Sequence, residues 1–396
     1  MTPATLSPDP TACEAATAMR TAVETFVASE VLPQVTDWDA ADILPESALA
    51  RLGEIGVPGA LVPADYGGLG LSVSDLVPIW RTLAHGWISL TGAVNTTHLG
   101  TALLLRYGTQ AQREEWLPRI ASGEVWSSFS ITEPGAGSDL KRLSTRVEAV
   151  DGGLLVNGEK RWIAGGLSFP LAFMLATGAG AARPSCVLLP AVGRPSPSWS
   201  VELLDKLGYR GVESAAWRFQ DHYAPGAEIL GGITHAGSGV RQMIDVLGIG
   251  RVNVACRALG IIDRALAAAV AESTGRTIGQ GVLGDHTHAQ MRLGELRARQ
   301  LTVEALVCSA ASAVDARAEN AGDLATAAKV FASDSAVWAV DVASRLAASR
   351  SYTAEAELAR LRRDAPQTQI GEGANDALLL AVGRGVLRTQ RGARGR

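Results

Sequence analysis

Apolar positions follow a helical period at both ends of the chain. In the N-terminal third they recur at three- and four-residue spacing, which predicts amphipathic helices. The clearest cases are residues 13–32, 74–83 and 111–120. Long stretches rich in Ala, Leu and Val return at 239–275 and 291–316, with lengths that suit a bundle of antiparallel helices.

The middle of the chain has a different pattern. Between residue 126 and about residue 230, short β-leaning runs such as 146–150, 154–156 and 172–175 are separated by Gly, Pro, Asn and Asp. This pattern indicates a β-domain inserted between two helical parts. The predicted parts of this α+β chain are a helical domain at 1–125, a β-domain at 126–235, a helical bundle at 236–390 and a basic tail at 391–396.

Composition narrows the class of protein. The chain has 396 residues, of which 47% are hydrophobic and 19% charged, and its formal net charge is −4. These values exclude intrinsic disorder and a dominant nucleic-acid surface. The cysteines have no zinc or redox spacing and no apolar run approaches a membrane span, so we expect a cytoplasmic protein that does not bind membranes. The four cysteines are Cys13, Cys186, Cys256 and Cys308.

Two kinds of site are not predicted. His286 and His288 form the closest histidine pair, and only Asp285 lies beside them in the sequence, so we expect no metal. The segment 248–250 lacks the preceding strand and the following glycine of a dinucleotide fingerprint, and a P-loop lysine motif is absent from the sequence.

A glycine-rich segment is the first candidate site. Residues 132–139 read TEPGAGSD, and two glycines with a proline disfavour regular structure there. Gly135 and Gly137 leave the backbone bare, while Thr132 and Ser138 supply hydroxyls. This combination suits a polar cofactor edge or a phosphate linker. On its own, however, a glycine-rich segment of this kind is usually an ordinary turn.

Together with other segments, this loop resembles the signature of the acyl-CoA dehydrogenase family. The matching segments follow the family's order along nearly the whole chain. They are VPADYGGLG at 62–70, GEKRWI at 158–163, LGYRG at 207–211 followed by Pro225 and ILGG at 229–232, and RRDA at 362–365 followed by IGEGA at 370–374. The resemblance implies an N-terminal helical domain, a central β-barrel or β-sandwich domain and a C-terminal four-helix bundle. It also implies a homodimer or homotetramer with FAD between subunits.

The resemblance further implies FAD-dependent α,β-dehydrogenation of an acyl thioester. Such a reaction needs a carboxylate near the α-carbon, donors for the enolate oxygen and a flavin at the β-carbon. Glu372 corresponds to the family's base, and its backbone amide to a donor for the thioester carbonyl. Gly371 and Gly373 permit a tight turn and are expected to line the substrate.

Other site residues follow from the resemblance one at a time. Thr132 and Ser138 correspond to hydroxyls that face the flavin and the pantetheine or cofactor phosphates. Trp162 corresponds to a tryptophan beside the isoalloxazine. Arg251 corresponds to an arginine at the start of the long central helix that orients the base-bearing segment and the thioester arm. Gly371 stands where the family often has tyrosine, which implies room for a bulkier acyl group.

The sequence departs from the family pattern on the cofactor side. Ala164 replaces a threonine whose hydroxyl approaches the flavin, so a backbone amide is expected to serve there. Arg276 is shifted by one position within GRTIG, and we expect it to reach a phosphate. Arg345 and Arg350 stand in place of a glycine-rich turn near the FAD pyrophosphate. They either bind the pyrophosphate or fill the place of the cofactor.

Three explanations of these departures stay open. The first is a flavin dehydrogenase with a rebuilt FAD tail site, and the second is one subunit of a hetero-oligomer. The third is a family fold that has lost FAD and uses Glu372 for proton chemistry alone; a flavin oxidase or monooxygenase is a related alternative. Acyl-CoA and an acyl-carrier protein share the pantetheine arm, so either is an expected substrate. The expected electron acceptor is a flavoprotein or oxygen.

Overall fold

The chain begins with a layer of helices. A computed structural model describes residues 10–190 and 195–394, so the predictions for the first nine residues and for the end of the basic tail lie outside the described residues. The N-terminal helices are α1 Pro10–Phe26, continued by a π-helical turn at Val27–Val31, α2 Val35–Ala41, α3 Glu46–Ile55, α4 Val73–Gly86, α5 Ile88–Tyr107 and α6 Gln110–Ala121.

Local sequence signals set the starts of two of these helices. Ser72 and Asp75 form a capping box at the start of α4, and Thr109 and Gln112 form another at the start of α6. Helix α5 is buried along nearly its whole length, as expected for a helix enclosed by neighbours on all sides. It packs against α7, α4 and β1, and therefore lies at the junction of the three parts of the chain.

The middle of the chain forms one mixed sheet. Its strands are β1 Ser127–Ser130, β2 Arg146–Val150, β3 Gly153–Ala164, β4 Leu171–Gly178, β5 Ala181–Pro190, β6 Trp199–Leu203, β7 Ser214–Pro225 and β8 Glu228–Ile229. They lie in the order β6-β7-β3-β2-β4-β5-β8, and β1 pairs with β4. The strands share one cluster of buried apolar side chains, which includes Val156, Met174 and Trp217.

The sheet does not close into a barrel. Strands β2 and β4 pair through only two positions, Arg146 with Thr177 and Val147 with Gly178, so only a short ladder joins β6-β7-β3-β2 to β4-β5-β8. Within the described ranges, the edge strands β6 and β8 do not pair with each other. The β-barrel alternative that the resemblance implied is therefore wrong. The sheet ends at two short edge strands, whereas a closed barrel needs a continuous ladder of backbone hydrogen bonds.

The C-terminal part is a helical bundle. Its elements are α7 Gly239–Gly275, the short strands β9 Thr277–Ile278 and β10 Gly281–Val282, α8 Thr287–Asp315, α9 Ala321–Ala347, α10 Glu357–Ile370 and α11 Asn375–Arg394. Helices α7 to α10 pack on one another, and α4 and α5 pack on α7. Helix α11 continues to Arg394, through most of the predicted tail. No helix in the described part of the chain is long and apolar enough to cross a membrane.

A buried ion pair fixes the loop that enters the sheet. Lys160 Nζ on β3 lies 2.9 Å from Glu133 Oε1, and both side chains are almost fully buried. Glu133 also accepts from the backbone N–H groups of Ser144 and Thr145. Burial raises the pKa of Glu133, but Lys160 and these hydrogen bonds outweigh it and hold the pKa at about 2.

We predict that Lys160→Met destabilises the fold by about 3–5 kcal/mol, because it leaves the Glu133 carboxylate buried without its counter-charge. Urea denaturation followed by circular dichroism measures the effect. The matched control is Glu159→Gln, which breaks the exposed pair between Glu159 and Arg218 next along β3 and is expected to cost about 1 kcal/mol or less. Equal losses in the two variants would contradict the prediction.

Candidate active site

Glu372 lies in a tight turn between α10 and α11. Helix α10 ends at Ile370, and Glu372 and Gly373 then take positive φ values of 54° and 102°. Positive φ is unfavourable for a residue with a Cβ, so the surrounding contacts must hold Glu372 in this conformation. The turn therefore fixes the direction of the Glu372 side chain.

The Glu372 carboxylate lies between α5 and α7. Asn95 Nδ2 on α5 donates to Glu372 Oε1 at 2.7 Å. On α7, a Cβ added to Gly250 would stand 2.8 Å from the carboxylate carbon of Glu372. Because real Cβ atoms do not approach so closely, only glycine at position 250 allows the carboxylate to lie against the backbone of α7.

Lys329 on α9 holds the turn from the other side. Its buried Nζ donates to the carbonyl oxygens of Gln369 and Gly373 at 3.0 and 2.7 Å, and to Asn375 Oδ1 at 2.7 Å. Burial lowers the pKa of Lys329 to about 8, although the nearby Glu372 opposes the shift. One ammonium group thus ties together the end of α10, the turn and the start of α11.

Sequence reasoning missed Lys329 and Asn95. A usable signal for Lys329 was present, since it is one of only four lysines in the chain and lies in an Ala- and Val-rich helix. A buried lysine in such a helix needs partners that satisfy its donors. Asn95 gave no comparable signal, because other polar residues such as Thr96 and Thr97 lie beside it in α5 and its partner is far away in the sequence.

Arg251 lies on α7 near Glu372. Its Nη1 is 3.3 Å from Thr326 Oγ1, and its Nε is buried without a hydrogen-bond partner. Burial lowers the pKa of Arg251, while the negative charge of Glu372 opposes the shift. The prediction that Arg251 stands at the start of the central helix is wrong, because α7 begins at Gly239. The helix continues through Gly248 and Gly250 because the rest of the bundle packs against it.

Gly371 and Gly373 flank Glu372 in the turn. The space next to Gly371 is taken by a side chain, because an added Cβ would meet Gln367 Nε2 at 2.9 Å. Gln367 Oε1 is buried without a hydrogen-bond partner. In this structure Gln367 therefore borders the turn at the place where the sequence suggested room for a wide acyl group.

Four predicted cofactor residues lie at the carboxyl end of β3 or on the glycine-rich loop beside it. The backbone carbonyl oxygen of Thr132 accepts from the backbone N–H of Arg161 at 2.8 Å, which places the glycine-rich loop beside Trp162. A register irregularity in β3 between Lys160 and Ile163 and a positive φ of 62° project Trp162 from the sheet, where it is 59% exposed. Ser138 is exposed on the same loop. The Ala164 carbonyl accepts from Ser128 Oγ.

The remaining predicted residues form a separate group at the end of α9. Arg276 Nη1 donates to the carbonyl oxygen of Leu346 at 3.1 Å, next to Arg345. The Arg345 side chain is 78% exposed and pairs with Asp341 on its own helix. Arg350 pairs with Glu272 at the end of α7. Three arginines thus surround one turn, and their side chains remain largely at the surface.

Comparison with known proteins identifies the class of this fold. Three family models match consecutive parts of the chain: acyl-CoA dehydrogenase N-terminal domain at 14–124, middle domain at 128–222 and C-terminal domain at 237–387. The solved butyryl-CoA dehydrogenase of Megasphaera elsdenii superposes with a TM-score of 0.87 at 27% identity, covering 94% of this chain and 98% of that one.

Curated relatives agree with these matches. The chain is 28% identical over 364 residues to mitochondrial isobutyryl-CoA dehydrogenase of Bos taurus, covering 91% of this chain and 86% of the relative. It is 29% identical over 372 residues to an acyl-CoA dehydrogenase of Bacillus subtilis, covering 93% and 97%. The chain belongs to the acyl-CoA dehydrogenase family, whose members are FAD-binding flavoproteins and oxidoreductases acting on CH–CH bonds. The predictions of family, enzyme class and cofactor are confirmed.

We predict that Lys329→Met loosens the turn that carries Glu372 without unfolding the bundle, because three hydrogen bonds to one ammonium group are lost. Hydrogen exchange of the backbone amides at 369–378 should become at least about tenfold faster, a change equivalent to about 1.4 kcal/mol. Lys141→Met is the control, since Lys141 is exposed on the glycine-rich loop. Unchanged exchange in this segment would show that Lys329 does not hold the turn.

Proposed function

We propose that this protein oxidises the Cα–Cβ bond of an acyl thioester, with Glu372 as the base. The observation that carries the proposal is the fixed Glu372 carboxylate, which lies on Gly250 and accepts from Asn95 in a chain of this family. The carboxylate takes the proton from the α-carbon, and the electron pair left there forms the C=C bond as a hydride leaves the β-carbon. FAD supplies the acceptor for that hydride.

The contacts around Glu372 suit a base that must be positioned before substrate arrives. Asn95 orients one carboxylate oxygen and Lys329 fixes the backbone on which the side chain stands. Arg251 retains an unused buried N–H near the same turn, which supports its predicted role in orienting the base segment and the thioester arm. The backbone amide of Glu372 is proposed as the donor to the thioester carbonyl, where negative charge develops.

The residues present fit a flavin dinucleotide. An indole that projects from an irregular strand and is 59% exposed offers a flat apolar surface for a ring system. Thr132 and Ser138 on the adjacent loop would hydrogen-bond the cofactor or the pantetheine arm. Arg276 and Arg345 would bind its phosphates, and the outward position of the Arg345 side chain favours a ligand role over one that fills the place of the cofactor.

The substrate is proposed to carry the pantetheine arm of coenzyme A. This follows the relatives, which include isobutyryl-CoA and butyryl-CoA dehydrogenases. A flavoprotein is the proposed electron acceptor. We also propose a homodimer or homotetramer, because α11 exposes several large apolar side chains that a second copy would cover. They are Leu379, Leu380, Val386 and Leu387.

We predict that Glu372→Gln leaves folding and flavin binding intact but slows reduction of the flavin by an acyl-CoA by at least about a hundredfold, because the amide cannot take the α-proton. Anaerobic stopped-flow absorbance measures the rate, and mass spectrometry should find an enoyl thioester two hydrogens lighter only with the parent protein. Asp376→Asn, at an exposed acid four residues on, is the control. Reduction at the parent rate would disprove the base assignment.

We predict that Trp162→Ala weakens FAD binding by about tenfold, since stacking of one aromatic face contributes about 1–1.5 kcal/mol. Titration of apoprotein with FAD, followed by flavin fluorescence, gives the dissociation constant. The control Tyr223→Ala removes another half-exposed aromatic side chain from the sheet and should leave the dissociation constant of FAD unchanged. Equal affinity of the Trp162→Ala variant and the parent would place the flavin elsewhere.

A further inference from the structure

We propose that Arg257, Asn253 and Tyr209 form a subsite for a carboxylate at the far end of the acyl group, so that the substrate is the thioester of a dicarboxylic acid. This inference rests on the proposed function. It concerns a buried cluster that the catalytic residues do not use, on the face of α7 that also meets Glu372.

Arg257 is a buried cation without a carboxylate partner. It is 3% exposed, its Nε donates to Asn253 Oδ1 at 2.9 Å and its Nη1 donates to Tyr209 Oη at 3.2 Å. Within residues 10–190 and 195–394, no carboxylate lies at ion-pair distance from it. Arg360, which is buried to a similar extent, has Glu357 as a partner. Burying a guanidinium without a counter-charge is costly, and an anionic ligand would supply that charge.

The neighbours of Arg257 also leave donors unused. Asn253 is fully buried, and its Nδ2 has no hydrogen-bond partner. Tyr209 Oη accepts from Arg257, which leaves its own proton for another acceptor. The donors around this positive charge are a guanidinium, an amide N–H and a hydroxyl. The two oxygens of a carboxylate can accept from such donors. A purely aliphatic acyl end would leave these donors unpaired.

The cluster and Glu372 lie against the same two helices. Gly250, Asn253 and Arg257 share one face of α7, because their spacings are three and seven residues. On α5, Gly92 shares a face with Asn95, and a Cβ added to Gly92 would stand 1.7 Å from Tyr209 Oη. Both helices therefore contact Glu372 at one end of this face and the Tyr209 cluster at the other.

The separation sets the size of the acyl group. Gly250 and Arg257 are about 10 Å apart along the axis of α7, and the bond to Asn253 turns the guanidinium back toward Glu372. The other carboxylate beside Tyr209 is Asp364, which accepts from the Tyr209 backbone N–H and so has its own partner. A dicarboxylic acyl group of about five or six carbons spans the distance from Glu372 to the guanidinium.

The test compares glutaryl-CoA with pentanoyl-CoA, which has a methyl group in place of the carboxylate. The holoprotein carries Glu372→Gln, which prevents turnover of either thioester. Calorimetry then gives the dissociation constant of each thioester. We expect glutaryl-CoA to bind at least about tenfold more tightly, as for a charge-assisted pair in a buried site. Adding Arg257→Gln should reduce the preference to about twofold or less, while pentanoyl-CoA binding stays within about twofold. Arg241→Gln, at an exposed arginine of the same helix, should keep the preference.

A second variant tests the subsite without removing the buried cation. Asn253→Asp places a carboxylate beside Arg257 and should abolish the preference for glutaryl-CoA, because the guanidinium then has an internal partner. Equal binding of the two thioesters by the parent, or a preference that survives both Arg257→Gln and Asn253→Asp, would overturn the subsite alone. Binding of neither thioester would overturn the subsite together with the proposed function.

Discussion

The absence of a side chain at residue 250 is the constraint on which the site depends. The Glu372 carboxylate occupies the space that a Cβ of Gly250 would need, so α7 serves as a flat wall for it. Lys329 fixes the turn from behind, and Asn95 fixes the carboxylate from α5. Three helices far apart in the sequence thus hold one acid that has an unfavourable backbone conformation.

Charge is distributed unevenly around this acid. Arg251 and Lys329 lie close enough to Glu372 for its charge to oppose the burial effects on their pKa values. Arg257 lies further along the same helix, and among the described residues no carboxylate lies at ion-pair distance from it. The contact between α5 and α7 therefore has a negative charge at one end, on Glu372, and a positive charge at the other, on Arg257. Rigid helices fix the separation of these two charges.

Much of the fold was predictable because its signals are local. The range 239–275 coincides with α7 and 146–150 with β2, since a helical period and breaker residues mark those boundaries directly. Asn95, Lys329 and the ion pair of Glu133 with Lys160 were not predicted, because each contact joins segments distant in the sequence; Asn95 and Glu372 are 277 residues apart. The prediction of a barrel was wrong for a related reason. Closure depends on which edge strands pair with each other, and the residue pattern within each strand does not encode that pairing.

The visible absorption spectrum of the purified protein, recorded anaerobically as an acyl-CoA is added, tests the central claim most directly. We expect a bound flavin whose visible absorption band bleaches in proportion to the thioester added. A protein that binds no flavin even with excess FAD, or whose flavin band is unaffected by every acyl thioester supplied, would contradict it.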